Sequence, residues 1–114
     1  MLIIEDEWLI AEYIEQLARD AGATSVDTAD CQYGAIEAAA NHAPEIILSD
    51  VNLKTGTGPR AVAAIQAKLG PIPVIFITGT PEDCIPCAPP GIVLTKPIQA
   101  EVLVEAFRRL APVG

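Results

Sequence analysis

Basic residues are scarce in this chain of 114 residues: seven Lys and Arg face fifteen Asp and Glu, for a net charge of −8. Sequence-independent binding to nucleic acid needs clustered Lys and Arg, and no basic stripe is present, so direct nucleic-acid binding is disfavoured. Paired cysteines are lacking too. Three of them, an odd number, make no disulfide framework, and the expected compartment is a reducing cytoplasm. Nor is there a long apolar run: the opening stretch is brief and broken by Glu5, Asp6 and Glu7, which argues against a signal peptide or membrane span. No linker, repeat or low-complexity tract divides the chain. What is present is an apolar fraction of 51%, enough to bury a core. The length suits one domain over residues 1–114 and is too short for two.

Four short, β-branched apolar runs each end in a polar group. They are Leu2-Ile3-Ile4 before Glu5-Asp6-Glu7, Glu45-Ile46-Ile47-Leu48-Ser49 before Asp50, Val74-Ile75-Phe76-Ile77 before Thr78, and Ile92-Val93-Leu94-Thr95 before Lys96-Pro97. Continuous apolar runs separated by helical patterns read as buried strands of a parallel sheet. Between them the periodicity predicts a helix over roughly Trp8 to Ala21, with Ile10, Ile14, Leu17, Ala18 and Ala21 on one stripe and Gly22 as its C-terminal cap. Thr24 to Ala29 is short and polar, as suits an edge strand. Asp30 is expected to cap a helix running to about His42, before Pro44. The polar loop Lys54-Thr55-Gly56-Thr57-Gly58 leads to a helix between Pro59 and Gly70-Pro71, with Val62, Ile65 and Leu69 on its buried face. Pro81, Pro86, Pro89 and Pro90 allow only a shortened fourth helix. The last helix, about Gln99 to Leu110, buries Leu103, Ala106, Phe107 and Leu110. Five alternations of strand and helix predict a doubly wound α/β fold with a five-stranded parallel sheet in the order 2-1-3-4-5.

In such a sheet ligands bind beyond the carboxyl ends of the strands, where Glu5, Asp6, Asp50, Thr78 and Lys96 converge. Carboxylates from two strands repel one another unless a cation lies between them, and hard oxygen donors suit Mg²⁺. Asp6 and Asp50 are candidate direct ligands, with Glu5 acting through a bound water. Asp50 is then the candidate nucleophile toward a phosphoryl group, Lys96 a mobile cation for it, and the Thr78 hydroxyl a hydrogen-bond donor.

Glu5-Asp6, Asp50, Thr78 and Lys96-Pro97, in this order and spacing, resemble the receiver domain of two-component response regulators, and the match spans essentially the whole chain. The resemblance implies a flavodoxin-like, CheY-like fold with Asp50 as phosphoacceptor. It implies Asp6 and Asp50 as Mg²⁺ ligands, helped by the backbone carbonyl of Asn52, and a cis bond before Pro97. Thr78 and Lys96 become the pair that senses the phosphoryl group. A histidine kinase or histidine phosphotransfer protein would be the donor, and an output protein or fused output domain the partner. Catalysis would be limited to the domain's own phosphorylation and dephosphorylation.

Asp50-Val51-Asn52-Leu53 with its Gly-rich loop, and Phe76-Ile77-Thr78-Gly79-Thr80-Pro81-Glu82, look most like receivers joined to sigma-factor-mimicking domains and small stand-alone receivers. Three departures stand out. Thr80 replaces the usual aromatic of that branch, Val93 occupies the place of a common Tyr or Phe switch, and Trp8 stands where proline is frequent. With no aromatic to swing inward, the signal is expected to travel through Pro81 to Pro90 and the neighbouring face of the last strand and helix. The alternative is a Mg²⁺-dependent phosphohydrolase with an Asp nucleophile. Phosphatases of the haloacid-dehalogenase type carry a second Asp two residues on, where this chain has Asn52. Cys84-Ile85-Pro86-Cys87 has redox spacing but no strand-then-helix context, and is read as incidental. Trp8 is expected to be partly buried, His42 solvated or placed against a helix dipole, and Glu7 solvated at a helix start.

Overall fold

The computed structural model describes residues 1–51, 53–79 and 91–110. Five strands form one parallel sheet: β1 (Leu2–Ile4), β2 (Asp27–Ala29), β3 (Ile47–Asp50), β4 (Val74–Thr78) and β5 (Gly91–Thr95). Their order is β2-β1-β3-β4-β5, the doubly wound arrangement read from the sequence. Between and after them lie α1 (Trp8–Asp20), α2 (Gln32–Asn41), α3 (Gly58–Leu69) and α4 (Ala100–Leu110). The shortened helix expected within Pro81 to Pro90, together with Thr80, Cys84 and Cys87, lies outside the described residues. Among the described residues no helix is long and apolar enough to cross a membrane.

Successive strand residues point to opposite faces, and the core divides accordingly. Leu2, Ile4, Ile47, Val74 and Phe76 join Ala35 and Ala39 of α2 and Val62 and Ile65 of α3 in one buried cluster. Ile3, Leu48, Ile75 and Ile77 join Ile14 and Ala18 of α1 and Leu103 and Phe107 of α4 in the other. Because both faces are covered, β1 is apolar throughout and β3 and β4 are apolar up to their polar carboxyl ends, rather than alternating.

Local chemistry sets the ends of the helices. α1 closes in a Schellman motif, in which the Ala23 amide donates to the Ala18 carbonyl at 2.9 Å and the Gly22 amide to the Arg19 carbonyl at 3.0 Å. Gly22 adopts φ +113, a region that costs a side-chain-bearing residue. The N-cap of α2 is Cys31 rather than Asp30: the Cys31 sulfur accepts from the Gly34 amide at 3.3 Å. Thr57 caps α3 through its hydroxyl oxygen, which accepts from the Arg60 amide at 3.3 Å, and Pro59 sits in the first turn, where its missing N–H costs nothing.

Three expectations about packing need correction. Leu69 is 43% exposed, because it is the last helical residue before Gly70 turns the chain away; Ala61 takes its place in the core. Leu110, the last residue of α4, is only partly buried, at the rim of its cluster. Trp8 is 72% exposed at the first turn of α1 and belongs to neither cluster. His42 is exposed at the C-terminal end of α2, as expected, and its Nδ1 lies 2.9 Å from Oδ2 of Asp27.

Candidate functional site

Parallel strands end on one edge, so the residues that follow them converge there without any long-range search by the loops. The Glu5 amide is held by the Ala29 carbonyl (2.9 Å) and the Lys96 amide by the Thr78 carbonyl (2.8 Å), which extends the ladder one residue past β1 and β5. Asp50 pairs with Ile77 in register and Thr78 with Thr95, so the two polar strand ends sit on successive rungs. Glu5, Asp50 and Thr78 are all buried, and Thr78 is engaged in the surrounding network. The peptide bond from Lys96 to Pro97 is cis.

The side chains of Glu5, Asp6 and Asp50 come together. A ligand oxygen from each lies within 4.8 Å of the others, a set of hard oxygen donors that fits a small divalent cation such as Mg²⁺. Lys96 reaches into the same cluster, with Nζ 3.2 Å from Oδ2 of Asp50 and 3.7 Å from Oε1 of Glu5. Burial alone would lower the Lys96 pKa, but the Asp50 and Glu5 carboxylates outweigh it and hold the ammonium above its ordinary range. Glu5 shows the opposite balance. Burial first, then a hydrogen bond with Asp6 and the charge of Asp50, push its carboxyl up to about 7, against the lowering pull of the Glu7 amide and of Lys96. Thr78 stands at the end of β4, next in the sheet to the strand that carries Asp50. Asn52, expected to offer its carbonyl, lies outside the described residues.

Backbone groups finish the site, and sequence reasoning did not find them. Oδ1 of Asp50 accepts from the Val51 amide at 2.7 Å, Oδ2 of Asp6 from the Lys54 amide at 3.0 Å, and Oε2 of Glu5 from the Glu7 amide at 3.2 Å. An amide carries no side-chain signature, so only the polar Gly-rich loop after Asp50 hinted at them. Gly58 packs so closely that a Cβ there would collide with the Asp50 carbonyl oxygen and the Ser49 hydroxyl.

The sequence profile of the response regulator receiver domain family matches residues 1–108. The phyllosphere-induced regulator PhyR of Methylorubrum extorquens is 33% identical over 102 residues, which are 87% of this chain and 38% of that protein. The chain thus spans about two fifths of that curated relative. Among solved structures, the receiver domain of the Erythrobacter litoralis PhyR response regulator has a TM-score of 0.84 and 33% identity, covering 99% of this chain and 93% of that one. A mutant of the anti-anti-sigma factor PhyR from Bartonella quintana has a TM-score of 0.75 and 34% identity, covering 95% of this chain and 48% of that one.

Proposed function

This chain belongs to the response regulator receiver domain family of two-component signalling, and we propose that within it Asp50 is the residue that accepts the phosphoryl group. One observation carries the reading: Asp50 is a buried carboxylate gripped by the Val51 amide on one oxygen and the Lys96 ammonium on the other, beside two further acids. A carboxylate so oriented is placed for nucleophilic attack. An oxygen of Asp50 would bond to phosphorus while the bond from phosphorus to an imidazole nitrogen of a histidine kinase or phosphotransfer protein breaks, and that imidazole leaves with a proton.

We assign Asp6 and Asp50 as direct Mg²⁺ ligands, with the Asn52 carbonyl beside them and Glu5 joining through a bound water. Mg²⁺, when bound, supplies positive charge to offset that of the phosphoryl oxygens. Lys96 then forms a charge-assisted hydrogen bond to the new phosphoryl group, and the Thr78 hydroxyl offers a second donor at the neighbouring rung. On this reading the domain at 1–114 acts in the cytoplasm on no substrate but itself and signals by changing what it binds. Likeness to the PhyR proteins favours an output partner of the kind found in sigma-factor control, whether a separate protein or a fused domain. The phosphohydrolase alternative gains no support from these relatives.

Acetyl phosphate with Mg²⁺ should add one phosphoryl group to the protein by intact mass, and Asp50→Asn should abolish the addition. Undiminished labelling of that variant would overturn the assignment.

A further inference from the structure

The loop that leaves Asp50 is also fastened by a residue outside the acid cluster. Gln32 is the first residue of α2, which packs beside α3 on one face of the sheet. Its amide donates to the Thr55 carbonyl at 3.3 Å, and its side-chain Oε1 accepts from the Thr57 amide at 3.2 Å. Gly56, between those two residues, lies against the Gln32 side chain with φ +81; a Cβ there would stand 2.5 Å from Cβ and 2.6 Å from Oε1 of Gln32. One residue earlier, the Lys54 amide donates to Oδ2 of Asp6.

From this arrangement we propose that Gln32 is a positioning residue for the cation site: it latches the loop at Thr55–Thr57 and so holds the Lys54 amide against the Asp6 carboxylate. The role rests on Asp6 serving as a Mg²⁺ ligand, as assigned above. A carboxylate with one oxygen held by an N–H keeps a fixed orientation and presents its remaining lone pairs to a cation, and removing such outer partners weakens metal binding. Thr57 and Gly58 show why the latch reaches no further into α3. The Thr57 hydroxyl caps the helix and the Gly58 amide is tied to the Val51 carbonyl at 2.9 Å, so the helix start is fixed without help from Gln32. The segment from Leu53 to Gly56 is therefore the part that depends on the glutamine.

The experiment pairs Gln32→Met, which keeps the length and loses the acceptor oxygen, with Gln32→Glu, which keeps an acceptor. Gly56→Ala serves as an independent way of displacing the side chain. Hydrogen exchange of the Lys54 and Thr57 amides is followed in metal-free protein, and Mg²⁺ affinity by calorimetry. Gln32→Met and Gly56→Ala should speed exchange at both amides and weaken Mg²⁺ binding roughly fivefold, less than the loss expected when a direct outer partner is removed. Gln32→Glu should restore slow exchange at both amides. Unchanged Lys54 exchange or unchanged Mg²⁺ affinity in Gln32→Met would overturn the inference, even if that variant unfolds at a lower temperature. A wild-type protein that binds no Mg²⁺, yet shows coupled exchange at Lys54 and Thr57, would instead overturn the assigned cation site and leave the latch standing.

Discussion

Glu5 is the residue whose chemistry the fold alters most. Its carboxyl titrates near 7 in the folded protein against an ordinary 4.5, because burial and two acidic neighbours favour the proton. Between those two values the folded state keeps a proton that the unfolded chain has released, so stability must fall as pH rises through that window. Metal-free wild type should therefore lose stability relative to Glu5→Gln between about pH 4.5 and 7, as read from paired urea midpoints. Parallel midpoints across that range would contradict the shift. Lys96 acts in the other sense. As the cation already inside the acid cluster, it competes with Mg²⁺ for Asp50 and Glu5. Replacing it by Met should tighten Mg²⁺ binding by roughly tenfold, since a unit charge a few ångströms away at a part-exposed site is worth at least that much. It should also slow phosphoryl uptake, and calorimetry with a labelling time course separates the two effects.

At the scale of elements, glycines at the turns make unequal demands. Gly22 needs only its positive φ, with open space around it, so Gly22→Ala should cost about 1 kcal/mol. Gly58 instead faces backbone that has nowhere to go. Gly58→Ala should lower the urea midpoint further and, unlike Gly22→Ala, should also impair phosphoryl uptake by displacing Asp50. Equal effects of the two substitutions would show that the close approach does not matter. The same contrast explains what was legible in the sequence. The strands, their order and the convergence of Asp6, Asp50, Thr78 and Lys96 followed from apolar runs buried on both faces, a signal repeated along the chain. Cys31 displaced Asp30 as cap because a cap is chosen by where the backbone first turns helical, a one-residue matter that composition does not settle. Leu69 and Trp8 misled because periodicity specifies which face a residue occupies, not whether the sheet extends far enough to cover it. Gln32 carried no signal, since its importance lies in the loop it meets and not in its own neighbours along the chain.

Over the whole molecule, the sheet separates two apolar clusters, one under α2 and α3 and the other under α1 and α4. The site lies on the edge between them, so a change at Asp50 can be felt on either side. The departure at Val93 bears on which side responds. Val93 is 38% exposed on β5, in register with Phe76 and so on the face opposite α4, while Val102 is 43% exposed on α4, so apolar side chains are exposed on both faces at this edge of the sheet. Adding beryllofluoride with Mg²⁺ should change hydrogen exchange within residues 92–110 more than within α1 or α2. Changes confined to α1 and α2 would place the output surface elsewhere.

The double fastening of the loop after Asp50 also fixes when its disorder is lost. A surface segment of this kind ordinarily gives up conformational entropy as a ligand arrives, which weakens binding by about 1–2 kcal/mol for each residue ordered. Here Asp6 holds Lys54, and Gln32 holds Thr55 and Thr57, through bonds within the chain itself that call on no cation or phosphoryl group. That entropy is surrendered once, during folding, so the free energy of each later encounter remains available for the chemistry at Asp50.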